Sequence, residues 1–190
     1  METVSKKFNL THRLLHWAIA FTMFFLLLTV FLRLTWLEKN NVAAILQENL
    51  KLLQLNISQE DALKIAKKIR KPMWDWHIYS GYLLIALYLL RMITIFKAGI
   101  LFPNPLTKNQ TPKQKLQGWT YIIFYFLMGV SLLTGLLIVK GPGTWKEPLE
   151  SVHVQSVYYA VLFIIMHMVG LVIAELTDQK GIVSKMIHGK

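Results

Sequence analysis

Four long apolar windows constrain this chain more than any other feature, because each is long enough to cross a lipid bilayer as a helix. A hydrocarbon layer of roughly 30 Å takes about 20 residues at about 1.5 Å of helical rise per residue. Three windows contain no Asp, Glu, Lys or Arg, and the other carries only Arg91, close enough to its end for the side chain to reach the headgroups. The windows are Leu14–Leu32, His77–Phe96, Trp119–Val139 and Val154–Ala174. We expect an all-α fold in which residues 1–190 form a single integral membrane domain, a four-helix bundle.

The composition supports a membrane protein and excludes several kinds of redox site. Of the 190 residues, 54% are hydrophobic, which is too apolar for an ordinary soluble domain of this size. The chain has no cysteine, so it cannot hold a thiolate-ligated iron–sulfur cluster, a haem attached through a Cys-x-x-Cys-His motif, or a disulfide. The net charge of +11 comes from Lys and Arg beside the apolar windows, where anionic lipid is a nearer partner than nucleic acid. We expect contact with the lipid bilayer and no nucleic-acid binding.

The loops give a preferred direction of insertion. The first window is longer than a signal-peptide core and no small-residue cleavage pattern follows it, so we expect helix 1 to stay as an anchor. Lys and Arg other than Arg91 divide evenly between the two sides, ten on each. The segment Lys97–Lys115 contains no acid, and on that basis we expect a cytoplasmic N-terminus.

The long loop between the first two spans, residues 35–75, contains a predicted short amphipathic helix. Ser58 is a suitable N-cap, and Pro72 is expected to end the helix by pushing Lys71 out of helical geometry. The apolar side consists of Ala62, Ile65, Ala66 and Ile69, and the basic side of Lys64, Lys67, Lys68 and Lys71. We expect this helix on the membrane surface, either as a cover over the outer ends of the bundle or as a docking site for a soluble redox partner protein. Two tryptophans follow where an interfacial aromatic belt would lie, Trp74 and Trp76.

Histidine is the residue type that indicates chemistry in this chain. Of six histidines, two lie in the polar ends, His12 and His188. The other four lie within the apolar windows or at their mouths: His16, His77, His153 and His167. Hydrocarbon offers an imidazole no hydrogen-bond partner, so each is a functional candidate, although a single His at a helix end is more often an interfacial residue than a ligand.

The spacing from His153 to His167 predicts how these histidines pair. Fourteen residues of α-helix advance about 21 Å and end within roughly 40° of four whole turns, so both rings are expected on one side of helix 4, at two depths. Consecutive spans run in opposite directions, which brings His16 to the depth of His167 and His77 to the depth of His153. Opposed neutral imidazoles are the axial ligands of bis-histidine haem, and bundle cores hold such cofactors. The two pairs therefore predict two haems per chain.

A bare metal ion is the competing ligand for four histidines. The ligands of one zinc or copper site must converge within a few ångströms, which the separation along helix 4 forbids. Glycines near the histidines fit either the backbone clearance that a porphyrin needs or ordinary packing of small residues between helices. These glycines are Gly81, Gly129, Gly135 and Gly170.

Four segments of the chain carry a resemblance to a known family. They are Arg13-Leu14-Leu15-His16-Trp17, Trp76-His77-Ile78-Tyr79-Ser80-Gly81, the pair His153 and His167, and Gly181-Ile182-Val183-Ser184-Lys185-Met186-Ile187. In these segments the chain resembles the prokaryotic cytochrome b561-type membrane proteins, which include b-type cytochrome subunits of nickel–iron hydrogenases, over nearly its whole length. The resemblance implies four haem-ligating histidines, at His16, His77, His153 and His167, and a cytoplasmic N-terminus. The long first loop departs from the compact members of the family.

Resemblance and geometry together predict a diheme b-type cytochrome that transfers electrons across or within the bacterial inner membrane, with quinone as a partner in a respiratory chain. Arg13 is a candidate partner for a propionate of the inner haem, as Lys140 or the basic surface helix is for the outer one. Lipid headgroup contact is the alternative for each of them. His12, one turn before His16, is an alternative ligand.

Two other functions stay open at this point. One is a haem-bearing membrane anchor subunit that relays electrons from a partner oxidoreductase, such as a hydrogenase, to quinone. The other is a haem-free transporter or proton channel with a histidine relay, although no span contains the paired acids or broken-helix signal typical of transporters. The sequence shows no nucleophile or acid–base constellation, and it leaves open whether the chain acts as a quinone- or superoxide-linked oxidoreductase.

Overall fold

The computed structural model describes residues 8–99, 102–177 and 179–189, and helices are the regular structure throughout those residues, with no strand among them. In chain order the helices are α1 (Leu10–Leu34), α2 (Lys39–Leu52), α3 (Gln59–Ile69), α4 (Lys71–Ala98), α5 (Pro112–Lys140), a 3₁₀ turn (Gly143–Trp145), α6 (Lys146–His153), α7 (Ser156–Leu176) and α8 (Ile182–His188). Four stretches are long and apolar enough to cross a membrane: α1, α4 as far as Lys97, α5, and Gly143–Leu176, which contains α6 and α7. The predicted all-α membrane bundle is confirmed.

The chain divides into two compact units. The large unit consists of the residues up to Ala20 together with Ile85–Lys190, and the small unit is Phe21–Leu84. Because the divisions fall inside α1 and α4, each of these helices contributes to both units. The expectation of one domain stays a prediction.

Local sequence explains where α5 begins and ends. The Thr111 hydroxyl accepts a hydrogen bond from the Gln114 amide, the Gln114 side chain accepts one from the Thr111 amide, and Pro112 occupies the first turn. These contacts satisfy amide groups that have no partner within the helix. The helix ends at Lys140, because Gly141 has extended backbone geometry and Pro142 follows it.

The small unit contains a hairpin of two helices, α2 and α3, and only α3 was predicted from the sequence. Helix α3 begins after the N-cap Ser58, whose hydroxyl accepts a hydrogen bond from the Asp61 amide at 3.1 Å. The Ser58 hydroxyl also donates to the Asp61 carboxylate at 2.8 Å, and this bond, together with the nearby Lys64 ammonium, lowers the pKa of that carboxyl. Helix α2 was missed. Its Ala43 packs with Ala62 and Ala66 of α3, and all three are fully buried.

Half of the apolar side of α3 packs against α2, and Ile65 and Ile69 remain exposed. Placement of α3 on the membrane surface stays a prediction. The expected geometry at Lys71 is wrong. Lys71 is the first residue of α4, and Pro72 lies in the first turn of α4, where its missing amide hydrogen is tolerated. Helix α3 ends at Ile69, as expected for a helix that stops short of this proline.

The last span is interrupted, which corrects the expectation of one continuous helix through His153 and His167. His153 ends α6 and His167 lies in α7. Between them the amides of Gln155, Val157 and Tyr158 bond to carbonyls three residues earlier, at 3.2, 3.4 and 3.1 Å. A 3₁₀ residue turns the chain by about 120° instead of about 100°, so the two turn residues Val154 and Gln155 supply about the 40° by which an ideal helix falls short.

Candidate functional site

The structure brings His16 and His167 together in the large unit. Their ring centroids lie 6.1 Å apart with the ring planes tilted by 47°, and both rings are partly buried. A bond from imidazole to a metal ion is about 2 Å long, so two imidazoles on opposite sides of one ion have centroids about 6 Å apart. The pair therefore has the separation required to hold one metal atom between its rings.

Aromatic side chains from α5 and α7 hold the His167 ring. The Tyr121 hydroxyl lies 3.1 Å from Nδ1 of His167. Phe163, one turn before His167 on α7, stacks on the imidazole with centroids 5.7 Å apart and planes within 16°. When the hydroxyl accepts from Nδ1–H, the lone pair of the ring is on Nε2, which is the arrangement of a metal-ligating histidine.

The surroundings of His153 select one tautomer. Nδ1 of His153 lies 3.0 Å from the Ser131 carbonyl and 3.3 Å from the Thr134 hydroxyl. A carbonyl oxygen can only accept, so Nδ1 carries the hydrogen and Nε2 carries the lone pair. A Cβ at Gly135 would lie 2.9 Å from Cε1 of this ring, so the ring approaches α5 as closely as it does only because residue 135 is glycine.

His77 has an equivalent arrangement in the small unit. The Thr29 hydroxyl donates to the Leu26 carbonyl at 2.6 Å and lies 2.7 Å from Nδ1 of His77. Since its hydrogen is already used, Thr29 accepts from Nδ1–H and the lone pair of His77 is on Nε2. Trp74 stacks on the ring with centroids 4.8 Å apart, and the Arg33 guanidinium lies 4.8 Å over Trp74. Trp74 therefore helps to orient the His77 ring, which is a role beyond the interfacial position predicted for it.

Three of the four candidate ligands therefore have Nδ1 hydrogen-bonded to an oxygen atom, as metal-ligating histidines almost always do. Sequence reasoning missed these oxygen atoms, which belong to Thr29, Tyr121, Ser131 and Thr134. Spacing could have found only Trp74 and Phe163, which lie three and four residues before their histidines. Within the part of the chain that the structure describes, no group of three or more His, Cys, Asp or Glu side chains could hold a bare metal ion.

Arg13, the predicted propionate partner, has partners of its own. Its guanidinium donates to the carbonyls of Met186, at 3.3 Å, and Ile187, near the end of α8. Gly189 has φ +79°, and a Cβ there would overlap the Arg13 guanidinium. At the other end of α8, the Glu175 carboxylate accepts from the amides of Gly181 and Val183 at 2.7 and 3.2 Å. These contacts place a cation at the carbonyl end of the helix and an anion at its amide end, which stabilises α8. Binding of a propionate by Arg13 stays a prediction.

His12, which was expected in a polar end of the chain, has partners inside the protein. It is buried, with 8% of its surface exposed, and Nδ1 accepts a hydrogen bond from the Arg91 guanidinium. A neutral His12 then carries its hydrogen on Nε2, so neither ring nitrogen offers a lone pair to a metal. This arrangement favours His16 over His12 as the ligand. Arg91 also has a second partner inside the protein, because its Nε donates to the Tyr125 hydroxyl at 3.0 Å, and its expected reach to the headgroups stays a prediction.

Comparison with known proteins identifies the family. The family model described as prokaryotic cytochrome b561 matches residues 7–189, nearly the whole chain. The chain belongs to the prokaryotic cytochrome b561 family, which confirms the resemblance in the sequence. No curated protein and no solved structure matches the chain. Family membership and the four apolar spans make it a bacterial membrane protein that carries b-type haem and transfers electrons.

Proposed function

We propose that the chain binds two b haems, one through His16 and His167 and one through His77 and His153, and passes electrons across the membrane to or from a quinone. The observation that carries the proposal is the 6.1 Å separation of the His16 and His167 rings. A bound haem supplies one-electron redox chemistry, and the chain supplies the ligands and a dry environment.

The residues around the histidines have a defined task in this proposal. In three of the four histidines, oxygen acceptors on Nδ1 hold the imidazole in the tautomer that can bind iron, fix the ring orientation and raise the basicity of the ligand. Tyr121 does this for His167, Thr29 for His77, and the Ser131 carbonyl for His153. The surrounding apolar side chains exclude water, so the electrostatic effect of each of these contacts is larger than in solution.

The directions in which α1 and α4 run support electron transfer across the membrane. His16 lies near the beginning of α1 and His77 near the beginning of α4, and consecutive spans start on opposite sides of a bilayer. We infer that the His16/His167 haem lies toward the cytoplasm, with the N-terminus on that side of the inner membrane, and that the His77/His153 haem lies toward the outside. The acid-free segment between Lys97 and Lys115 supports this orientation.

The test is a count of haem per chain by pyridine haemochrome assay, with a reduced-minus-oxidised spectrum, on the purified protein and on single variants. We expect two haems in the wild type and one each in His167→Ala and His153→Ala. The matched control His188→Ala should retain two. His12→Ala tests the alternative ligand, and loss of a haem in His12→Ala with two haems retained in His16→Ala would select His12. A folded, reconstituted sample without haem would refute the proposal and favour the histidine-relay alternative.

A haem-bearing anchor for a catalytic subunit, such as a hydrogenase, is the second candidate function. The α2–α3 hairpin favours it, because the turn between these helices exposes three leucines, Leu52 at 78%, Leu53 at 68% and Leu55 at 57%. Exposed apolar patches of this kind are typical of interaction sites. Purification from native membranes in mild detergent separates the two functions: an anchor brings a soluble oxidoreductase subunit with it, and a cytochrome that works alone is isolated as a single polypeptide.

A further inference from the structure

Arg91 places a positive charge inside a membrane-spanning helix of the large unit. Its Nε donates to the Tyr125 hydroxyl at 3.0 Å, and its Nη1 donates to Nδ1 of His12. An imidazole that accepts on Nδ1 is neutral, and so is a phenol, so neither partner balances the charge of the guanidinium. Among residues 8–99, 102–177 and 179–189, the ion pairs with carboxylates are made by Lys64 and Lys71, not by Arg91.

A cation in this position is stabilised further by a negative partner. Transfer of a charged side chain from water into hydrocarbon is costly, and arginines within spans are stabilised by pairing or by strong hydrogen bonds. The contacts to Tyr125 and His12 use only Nε and Nη1, and a guanidinium has five N–H donors, including two on Nη2. The N–H groups on Nη2 of Arg91 are therefore outside these two contacts, and they lie in the planar arrangement that binds a carboxylate.

The two side chains that hold Arg91 connect it to the pair of facing histidines. His12 lies one helical turn before His16 on α1, and Tyr125 lies one turn after Tyr121, whose hydroxyl contacts His167. Arg91 is thus held beside the His16/His167 pair from both α1 and α5.

We propose that Arg91 is the anion-binding residue of the His16/His167 site and that the anion is a carboxylate of the haem bound there. His12 and Tyr125 are positioning residues, because they act through Arg91. The inference rests on the proposed function, since it requires a haem at this pair. A cation beside the haem favours uptake of an electron, so Arg91 is expected to raise the midpoint potential of this haem and leave that of the other nearly unchanged.

The experiment is a spectroelectrochemical titration of the full-length protein with its haems, comparing wild type with Arg91→Gln and Arg91→Lys. We expect Arg91→Gln to shift one of the two midpoint potentials downward by about 59 mV, a tenfold change in the ratio of reduced to oxidised haem for a one-electron couple. Arg91→Lys keeps the charge and should retain most of the potential. The matched control is Lys97→Gln, which removes one charge from an exposed position of the same helix and should leave both potentials unchanged.

Two further samples identify the haem and the anion. A His153→Ala background retains the haem at His16/His167, and the shift should persist there. Reconstitution with haem dimethyl ester removes the carboxylates, so wild type should bind the ester more weakly than free haem at this site, and Arg91→Gln should lose most of that preference. The same preference for free haem in both proteins would show that Arg91 pairs with another anion, such as a lipid headgroup, and would overturn the proposal.

The remaining outcomes are decisive as well. Two bound haems with both potentials unchanged in Arg91→Gln would overturn this inference and leave the proposed function intact. Fewer than two haems in the wild type would refute the proposed function first. If Arg91→Gln fails to fold, Tyr125→Phe provides the test, because it keeps the charge and removes the acceptor of Nε. A changed potential of the same haem then supports the proposal, and two unchanged potentials overturn it.

Discussion

Thr29 accepts a hydrogen bond from Nδ1–H of His77 at 2.7 Å while donating its own hydrogen to the Leu26 carbonyl at 2.6 Å. The hydroxyl is buried, with 3% of the residue exposed, so water does not replace it readily. The contact determines the tautomer of His77 and with it the nitrogen that can bind a metal. Comparable contacts exist at His153 and His167, and each can be tested separately.

Thr29→Val should weaken haem binding at His77. The substitution keeps the shape of the side chain and leaves Nδ1–H without its acceptor, and loss of such a partner typically costs 10–100-fold in metal affinity. The measurement is a haem titration of the apoprotein. Thr35→Val is the matched control, because Thr35 directly follows the same helix, its hydroxyl donates to the Phe31 carbonyl and it is exposed. Equal haem affinity in the two variants would contradict the prediction.

Tyr121→Phe should raise the midpoint potential of the haem at His16/His167. Loss of the acceptor on Nδ1 makes His167 a less basic ligand, and a less basic ligand stabilises oxidised iron less. Phe keeps the ring contact with Phe163, so the packing is largely preserved. Redox titration measures the shift, and Tyr158→Phe, at a residue 73% exposed on α7, is the control. An unchanged potential would show that the hydroxyl has no influence on the ligand.

Gly135→Ala should reduce occupancy at His153. The new methyl group would lie 2.9 Å from Cε1 of the ring, closer than a real Cβ contact allows, so the imidazole must move. We expect loss of one haem per chain by haemochrome assay. Gly170→Ala makes the same change where a Cβ meets no atom within 4 Å. That control should keep both haems and gain up to about 1 kcal/mol of helix stability. Two haems in Gly135→Ala would argue against a role for His153.

Arg13→Gln should loosen α8 without altering either haem potential. The variant removes the donors to the carbonyls of Met186 and Ile187, so amides of α8 should exchange with deuterium faster. Hydrogen exchange with mass spectrometry measures the effect, and Lys180→Gln, an exposed charge just before α8, is the control. A lowered haem potential in Arg13→Gln would instead support the propionate contact expected from the sequence.

Features that depend on neighbours along the chain could be predicted from the sequence. Window length and the near absence of charge located the four spans, and Ser58 located the start of α3, because hydropathy and capping act within a few residues. Helix α2 escaped prediction because its burial depends on α3: Ala43 has no strong local signal and becomes fully buried only against Ala62 and Ala66. The break between α6 and α7, at residues 154–155, also escaped prediction, because it contains no Gly or Pro.

The sequence by itself determined that this chain is a membrane-spanning helical protein with histidines suited to haem, because apolar length and the residue types that bind iron are local properties. Only the tertiary structure decided which atoms set the chemistry of those histidines. His77 meets Thr29 across 48 residues, His167 meets Tyr121 across 46, and Arg91 meets His12 across 79. Such contacts follow from how helices pack side by side, and hydrophobic periodicity specifies which face of a helix is apolar but not which polar side chain lies opposite.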